Sequence, residues 1–252
     1  MDKPTSSIQV IDRMAALLDA VAAAGSPVSL KILAAETGLH PSTAFRILGA
    51  MGNTGFIERD TAGHYILGKK LQRLGSKVQQ SVDIRHEARD VMESLRNEIG
   101  ETINLTVREG DDVVYIERST PSRMMRVEQV IGSRAPLHVT AVGKLMLAEL
   151  GDDFIHAYAQ RSGLKQYTKH TCSTENDLVR LVREAEAQGF AYDNEEAELG
   201  VGCIGTLIRD NSGKVVAGLS ISAPIERRKD EWIKLIQKSA RTISERLGYS
   251  GK

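Results

Sequence analysis

Glycine and proline cut the first hundred residues into helix-sized pieces, and no other feature limits the fold of this chain so tightly. Gly25 and Pro27 end one apolar stripe, Gly38 ends a second, Gly55 follows a third and Gly100 closes a later one. Beyond Gly100 the apolar period changes to two, the change from helix to strand. Helices followed by mixed strands and helices predict an α+β chain, and 252 residues suffice for two domains.

The first helix is predicted over 8–24, with Val10, Ile11, Met14, Leu17, Leu18 and Val21 on one stripe. Ser29 caps a second over about 30–37, with Ile32, Leu33 and Ala35 inward. His40–Pro41–Ser42 opens the third, where Pro41 suits a first helical position because its missing N–H would be unpaired anyway. Ala44, Ile47, Leu48 and Met51 form its core stripe, while Ser42, Thr43 and Arg46 gather near its start, away from that stripe. A helix with small residues, a few donors and one long cation suits close approach to a DNA major groove, with its N-terminal N–H groups attracting phosphate. FIERD–TAG–HYILG then reads as two short strands about a turn, the wing of a winged helix-turn-helix, with Arg59 and His64 near its tip and Lys69 and Lys70 as further phosphate contacts. A plain three-helix bundle with a hairpin is the alternative; three helix spacings and the wing together favour double-stranded DNA.

Residues 69–83 read as a linker helix between a first domain, 1–68, and a second, 84–252. The second begins with an amphipathic helix at 84–99. Strands are predicted at 102–108, 112–118, 124–130, 190–193, 201–209 and 214–222, with helices at 142–149, 153–160, 175–188 and 228–247. A hairpin symmetric about Asn211–Ser212 would set Cys203 opposite Ser220. Alternation places Ser220 and Ser222 on the same face, beside the glycine-rich Gly200–Gly205. Two hydroxyls and a thiol among small residues suit a small-molecule pocket. The Thr140–Gly143 turn opening the helix at 142–149 would add N–H groups for an anionic oxygen, making a small carboxylic acid the expected ligand.

Composition excludes other classes. No apolar run is long enough to span a membrane, and MDKPTSSIQVIDR lacks a signal-peptide core. Two lone cysteines, Cys172 and Cys203, fit a reducing cytoplasm. The net charge of +0 hides a mild asymmetry: residues 1–80 hold nine Lys/Arg and six Asp/Glu, and the remainder 33−9=24 against 33−6=27. Cys203 as a nucleophile would need a base, and His138 is the only neighbour to suggest. His138, His170, Cys172 and Asp193 lack the paired spacing of a zinc site. Of Asp193, Glu195, Glu196 and Glu198, Asp193 alone is expected to face inward. Neither catalysis, a cofactor nor a metal is expected.

The motifs GLHPSTAFRIL, LHVTAVGKLMLAEL at 137–150 and YDNEEAELGVGCIG at 192–205, followed by GLSISAP, resemble the isocitrate lyase regulator (IclR) family of bacterial transcription factors over nearly the whole chain. The resemblance implies a winged helix joined by a linker helix to a GAF-like effector domain. It also implies homodimers that pair on operator DNA, and small organic acid effectors, aliphatic or aromatic, that control catabolic operons. Family ligand positions fall on Met124, Val127, Ala135, Ala141, Val142, Asp193, Val201, Cys203, Ser220 and Ser222, and family DNA contacts on Ser42, Thr43 and Arg46.

Overall fold

A computed structural model describes residues 8–74 and 83–251. The chain divides into two compact units, Met1–Ser81 and Val82–Lys252. The predicted linker helix falls on the division: residues 69–74 are helical, and 75–82 lie outside the described residues.

In the first unit, α1 (Gln9–Ala24), α2 (Leu30–Thr37) and α3 (Pro41–Asn53) precede the hairpin β1 (Ile57–Arg59) and β2 (Tyr65–Leu67). The stops act as their chemistry requires. Gly25 and Gly38 take left-handed φ of 62° and 64°, a conformation that costs glycine nothing. Ser29 accepts from Ile32 N, and His40 Nδ1 accepts from Ser42 N. Leu17, Val21, Leu33, Ala44, Leu48, Met51, Ile57 and Tyr65 make the core. On α2, Leu33 and Ala34 point inward, whereas the predicted Ile32 and Ala35 are exposed. An eight-residue helix wedged between two others buries only the pair on its inner edge. Val28 bridges Tyr65 and so ties the α1–α2 loop to the wing.

The second unit is a six-stranded antiparallel sheet in the order β5-β4-β3-β8-β7-β6. The strands are β3 (Thr102–Glu109), β4 (Asp112–Ser119), β5 (Arg134–Pro136), β6 (Ala191–Asn194), β7 (Val201–Arg209) and β8 (Val215–Pro224). One face carries Ile103, Leu105, Ile204, Ile208, Leu219 and Ile221, covered by α4 (Ile84–Ile99) and α8 (Trp232–Arg246) through Met92, Leu95, Trp232, Ile236 and Ile243. Over the other lie α5 (Ala141–Leu150), α6 (Asp152–Ser162) and α7 (Glu175–Gln188). Helix α8 begins at Trp232 rather than 228, because a 3-10 turn occupies Ile225–Arg227.

Two expectations are corrected. Residues 124–130 form no strand. Their carbonyls meet side chains instead: Arg227 Nη2 donates to Met125 O at 3.0 Å, Thr102 Oγ1 to Val127 O at 2.6 Å, and Arg118 Nη1 to Gln129 O. The β7–β8 register also differs by two residues, since Cys203 faces Ser222 and Gly205 faces Ser220. The turn causes this. Asp210 Oδ1 accepts from Ser212 N and Lys214 N, Gly213 adopts φ 82°, and the register shifts at Ile208/Arg209. An even shift leaves every side chain on its expected face.

Candidate functional site: a buried polar sheet face

Both faces of this sheet are covered, but only one is apolar. The face under α5 presents Thr102, Asn104 and Thr106 from β3, Cys203 and Gly205 from β7, and Gly218, Ser220 and Ser222 from β8, in register. Asn104 and Thr102 are 0% exposed and Ser222 1%. Burying so many polar groups is unfavourable unless they find partners. Asn104 Nδ2 donates to Ser222 Oγ at 3.1 Å, and Ser222 Oγ lies 3.2 Å from Cys203 Sγ. Asp193 pairs with Cys203 across β6–β7 and receives the Glu196 N–H on Oδ1 at 2.8 Å.

Helix α5 fits because β7 and β8 lack side chains beneath it. A Cβ at Gly205 would fall 2.9 Å from both Val142 N and its Cγ1, and one at Gly218 2.7 Å from Val142 Cβ. The N-terminus of α5 therefore touches the strands. Thr140 Oγ1 caps the Gly143 N–H at 3.1 Å, and the N–H groups of Ala141 and Val142 meet no acceptor among the described residues. Ala141 packs with Cys203, Ala191 and Val201, while Val142 joins the cluster of Met146 and Leu147.

The structure thus gathers Ala141, Val142, Asp193, Val201, Cys203, Ser220 and Ser222 around one face. Val127 reaches its rim through the bond from Thr102. Met124 does not reach it, being 98% exposed in the loop after β4. Ala135 lies on β5, the edge strand opposite β6, paired with Val113.

Burial sets the charges here. It lifts the Asp193 carboxyl to about 6, aided by the neighbouring Glu196 charge. The same desolvation pushes the Cys203 thiol up, so it stays protonated and is a poor nucleophile. His138 offers it no base: Nδ1 is 2.7 Å from Tyr158 Oη and Nε2 3.0 Å from Lys165 O, and burial lowers its pKa. No group of three metal-ligating side chains occurs among the described residues.

Three residues here carry no sequence signal. Glu196 is buried rather than solvated, because Lys144 of α5 meets both its carboxylate oxygens at 2.5 and 2.6 Å. The partners stand 52 positions apart, so no local pattern links them. Asn104 shows only as an alternating strand residue. Tyr115 pairs with Thr106, and burial followed by the Cys203 and Asp193 charges raises its phenol, which places it by the same cluster.

In the first unit, Ser42 and Arg46 are exposed and Thr43 half-buried on α3, and Arg46 makes no hydrogen bond or ion pair with another described residue. Phe45, unremarked by spacing, is 51% exposed beside them. At the wing, Arg59 Nε donates to Gly63 O at 3.2 Å and stacks over Tyr65, and His64 sits 3.3 Å from Asp60. The Lys69 backbone is held by Glu58, and Lys70 lies over the Phe56 ring.

A helix-turn-helix unit followed by a domain with a buried polar face defines a ligand-responsive transcription regulator. Residues 10–61 match the IclR helix-turn-helix domain, and 76–246 match the bacterial transcriptional regulator IclR C-terminal domain. The chain belongs to the IclR family of transcriptional regulators, which are not enzymes. It is 32% identical to the HTH-type transcriptional regulator KdgR of Dickeya chrysanthemi, over 99% of this chain and 83% of that one. It is 30% identical to the transcriptional repressor IclR of Escherichia coli K12, over 98% and 92%. The crystal structure of the Agobacterium tumefaciens repressor BlcR superimposes with a TM-score of 0.82 at 27% identity, covering 96% of this chain and 98% of that one. No helix among the described residues is long and apolar enough to cross a membrane.

Proposed function

We propose that this regulator controls a catabolic operon in the cytoplasm, reading operator DNA with α3 and its wing and sensing a small organic acid, aliphatic or aromatic, on the polar face of its GAF-like second domain. Ser42, Thr43 and Arg46 face the bases, with Phe45 against a thymine methyl, and Arg59, His64 and Lys69 hold phosphates. Operators with two-fold symmetry need a two-fold protein, so the working form is a homodimer that pairs as a dimer of dimers on DNA. The observation that carries the effector reading is the contact of α5 with Gly205 and Gly218. It brings the unpartnered Ala141 and Val142 N–H groups and the helix dipole to a face lined by Ser220 and Ser222. A carboxylate there meets N–H and O–H donors in a site screened from water.

Footprinting of upstream DNA together with a thermal-shift screen of metabolic acids tests the reading. A protected site that an acid releases or strengthens supports it; protection indifferent to every acid, with no thermal shift, overturns the effector half. Light scattering at micromolar concentration tests assembly, where a monomeric mass with and without operator is the contrary result.

A further inference from the structure

Serine is an ambiguous reader of DNA, since its hydroxyl has one hydrogen and two lone pairs and bonds to base donors and acceptors alike. On α3 the ambiguity is removed within the protein. Pro41 has no N–H, so the first N–H at the start of α3 is that of Ser42, and His40 Nδ1 accepts it at 3.4 Å as the helix cap. A ring nitrogen that accepts carries no hydrogen, which puts the hydrogen of the neutral imidazole on Nε2. The same Nδ1 lies 2.8 Å from Ser42 Oγ, so the serine hydroxyl is the donor in that contact. Its only hydrogen is thereby spent on His40, and Ser42 has lone pairs alone to turn outward. Both residues are exposed at the start of α3, on the same short stretch as Arg46.

Resting on the proposed reading of operator DNA by α3, we infer that His40 is a positioning residue for sequence recognition: it holds the Ser42 hydroxyl as an acceptor, so that Ser42 selects a base with a major-groove amino group, adenine or cytosine, over guanine or thymine. The four bases divide on this point. Adenine N6 and cytosine N4 donate in that groove, whereas guanine presents O6 and N7 and thymine O4, all acceptors. A serine held this way and facing O6 or O4 sets lone pair against lone pair, and it can turn its hydrogen to them only by giving up His40. Arg46, which has donors alone, reads the opposite chemistry on the same helix. Histidine also suits the post better than a capping carboxylate. An aspartate would take the same hydrogen, but its charge would face the DNA phosphates, which a neutral imidazole does not repel.

Selection of binding sequences from a randomised duplex pool by the full chain locates the base that Ser42 reads, as the position whose preference Ser42→Ala removes. Adenine or cytosine should be favoured there by about three- to tenfold, the worth of one hydrogen bond. Replacing that base by its analogue with hydrogen in place of the amino group should cost the wild-type protein the same factor in gel-shift titrations and cost Ser42→Ala nothing. In His40→Ala the freed hydroxyl turns either way, so the preference at that position should fall toward one while the preference set by Arg46 stays. His40→Asn keeps an acceptor at the start of the helix and should restore it. A Ser42 position that favours guanine or thymine, indifference to the amino group, or an unchanged preference in a folded His40→Ala protein overturns the inference. The amino-group comparison stands even where His40→Ala fails to fold. A pool from which no sequence emerges would sink the operator reading and this inference with it, whereas a selected site that Ser42→Ala leaves unaltered would sink this inference alone.

Discussion

Replacing Lys144 by methionine should cost far more stability than a typical change of one lysine. Its ammonium meets both oxygens of Glu196 at 2.5 and 2.6 Å, and the two side chains are 3% and 5% exposed. Methionine keeps the apolar stem and removes the charge. Glu196 would then keep only the Asn194 N–H, at 3.3 Å, in a segment that also carries buried Asp193. It cannot simply swing into solvent, since its N–H donates to Asp193 Oδ1 at 2.8 Å and its carbonyl accepts from Thr171 Oγ1 at 2.6 Å. Stranding one partner of a buried pair costs about 3–5 kcal/mol. For a unit of this size that lowers Tm by roughly 6–20 °C, at about 2–4 °C per kcal/mol. The one tryptophan, Trp232, is buried in this unit, so urea titrations followed by its fluorescence report the second unit alone. Lys144→Met with Glu196→Leu removes both charges and should return to within about 1 kcal/mol of the parent. A single-variant cost under about 1 kcal/mol, the range of a surface pair, would refute the reasoning. So would a double variant no more stable than the single.

Arg46→Ala should lose about 1–3 kcal/mol of operator affinity in gel-shift titrations at fixed salt, whereas Lys69→Ala should weaken all sequences alike and reduce the salt slope by about one. Gly218→Ala should destabilise by about 1–3 kcal/mol in the same urea titration, because the new methyl meets Val142 Cβ at 2.7 Å. Asp193, raised to about 6 chiefly by burial, binds a proton in the native state that the unfolded chain has released above about pH 4. Its contribution is therefore full at low pH and lost as pH rises to 6. Asp193→Asn should flatten that slope in melting curves from pH 4 to 7, by up to about 3 kcal/mol, and an unaltered slope would count against the burial argument.

Where structure follows from backbone chemistry, the sequence is readable. Gly25, Gly38, Gly100 and Gly189 stop four helices because each must adopt positive φ there. Thr174 caps α7 by accepting from Asp177 N, three residues on. The polar face was legible too, since a strand's two-residue period survives the two-residue register difference that Asp210 and Gly213 impose. What alternation cannot supply is distance along the chain. Lys144 and Glu196 sit in unrelated motifs, and the orphaned Asn104 oxygen exists only once β3 lies beside β8. Residues 124–130 mislead for a related reason: Met124, Met125, Val127 and Val130 read as strand, but arginines from distant positions take the carbonyls a ladder would need.

A domain built this way sets a polar face on one side of its sheet against an apolar face on the other. The α4–α8 face is closed by isoleucine, leucine and tryptophan, whereas the α5 face sets hydroxyls, a thiol and two glycines under a helix. Among the described residues the protein leaves hydrogen bonds unmade at Asn104 Oδ1 and at the Ala141 and Val142 N–H groups, and the proposed effector would supply partners there. A ligand at a hundred times its Kd stabilises the folded state by about 2.7 kcal/mol, comparable to the cost of the orphaned groups. Because the two units are separately compact, that gain belongs to the second unit's own unfolding, and the Trp232 transition is where it should register. The Lys144–Glu196 pair has a complementary effect. It fixes α5 to the segment after β6 without any ligand, so the first turn of α5 is held against Gly205 in advance, and on the proposed reading little ordering entropy is lost when an effector binds.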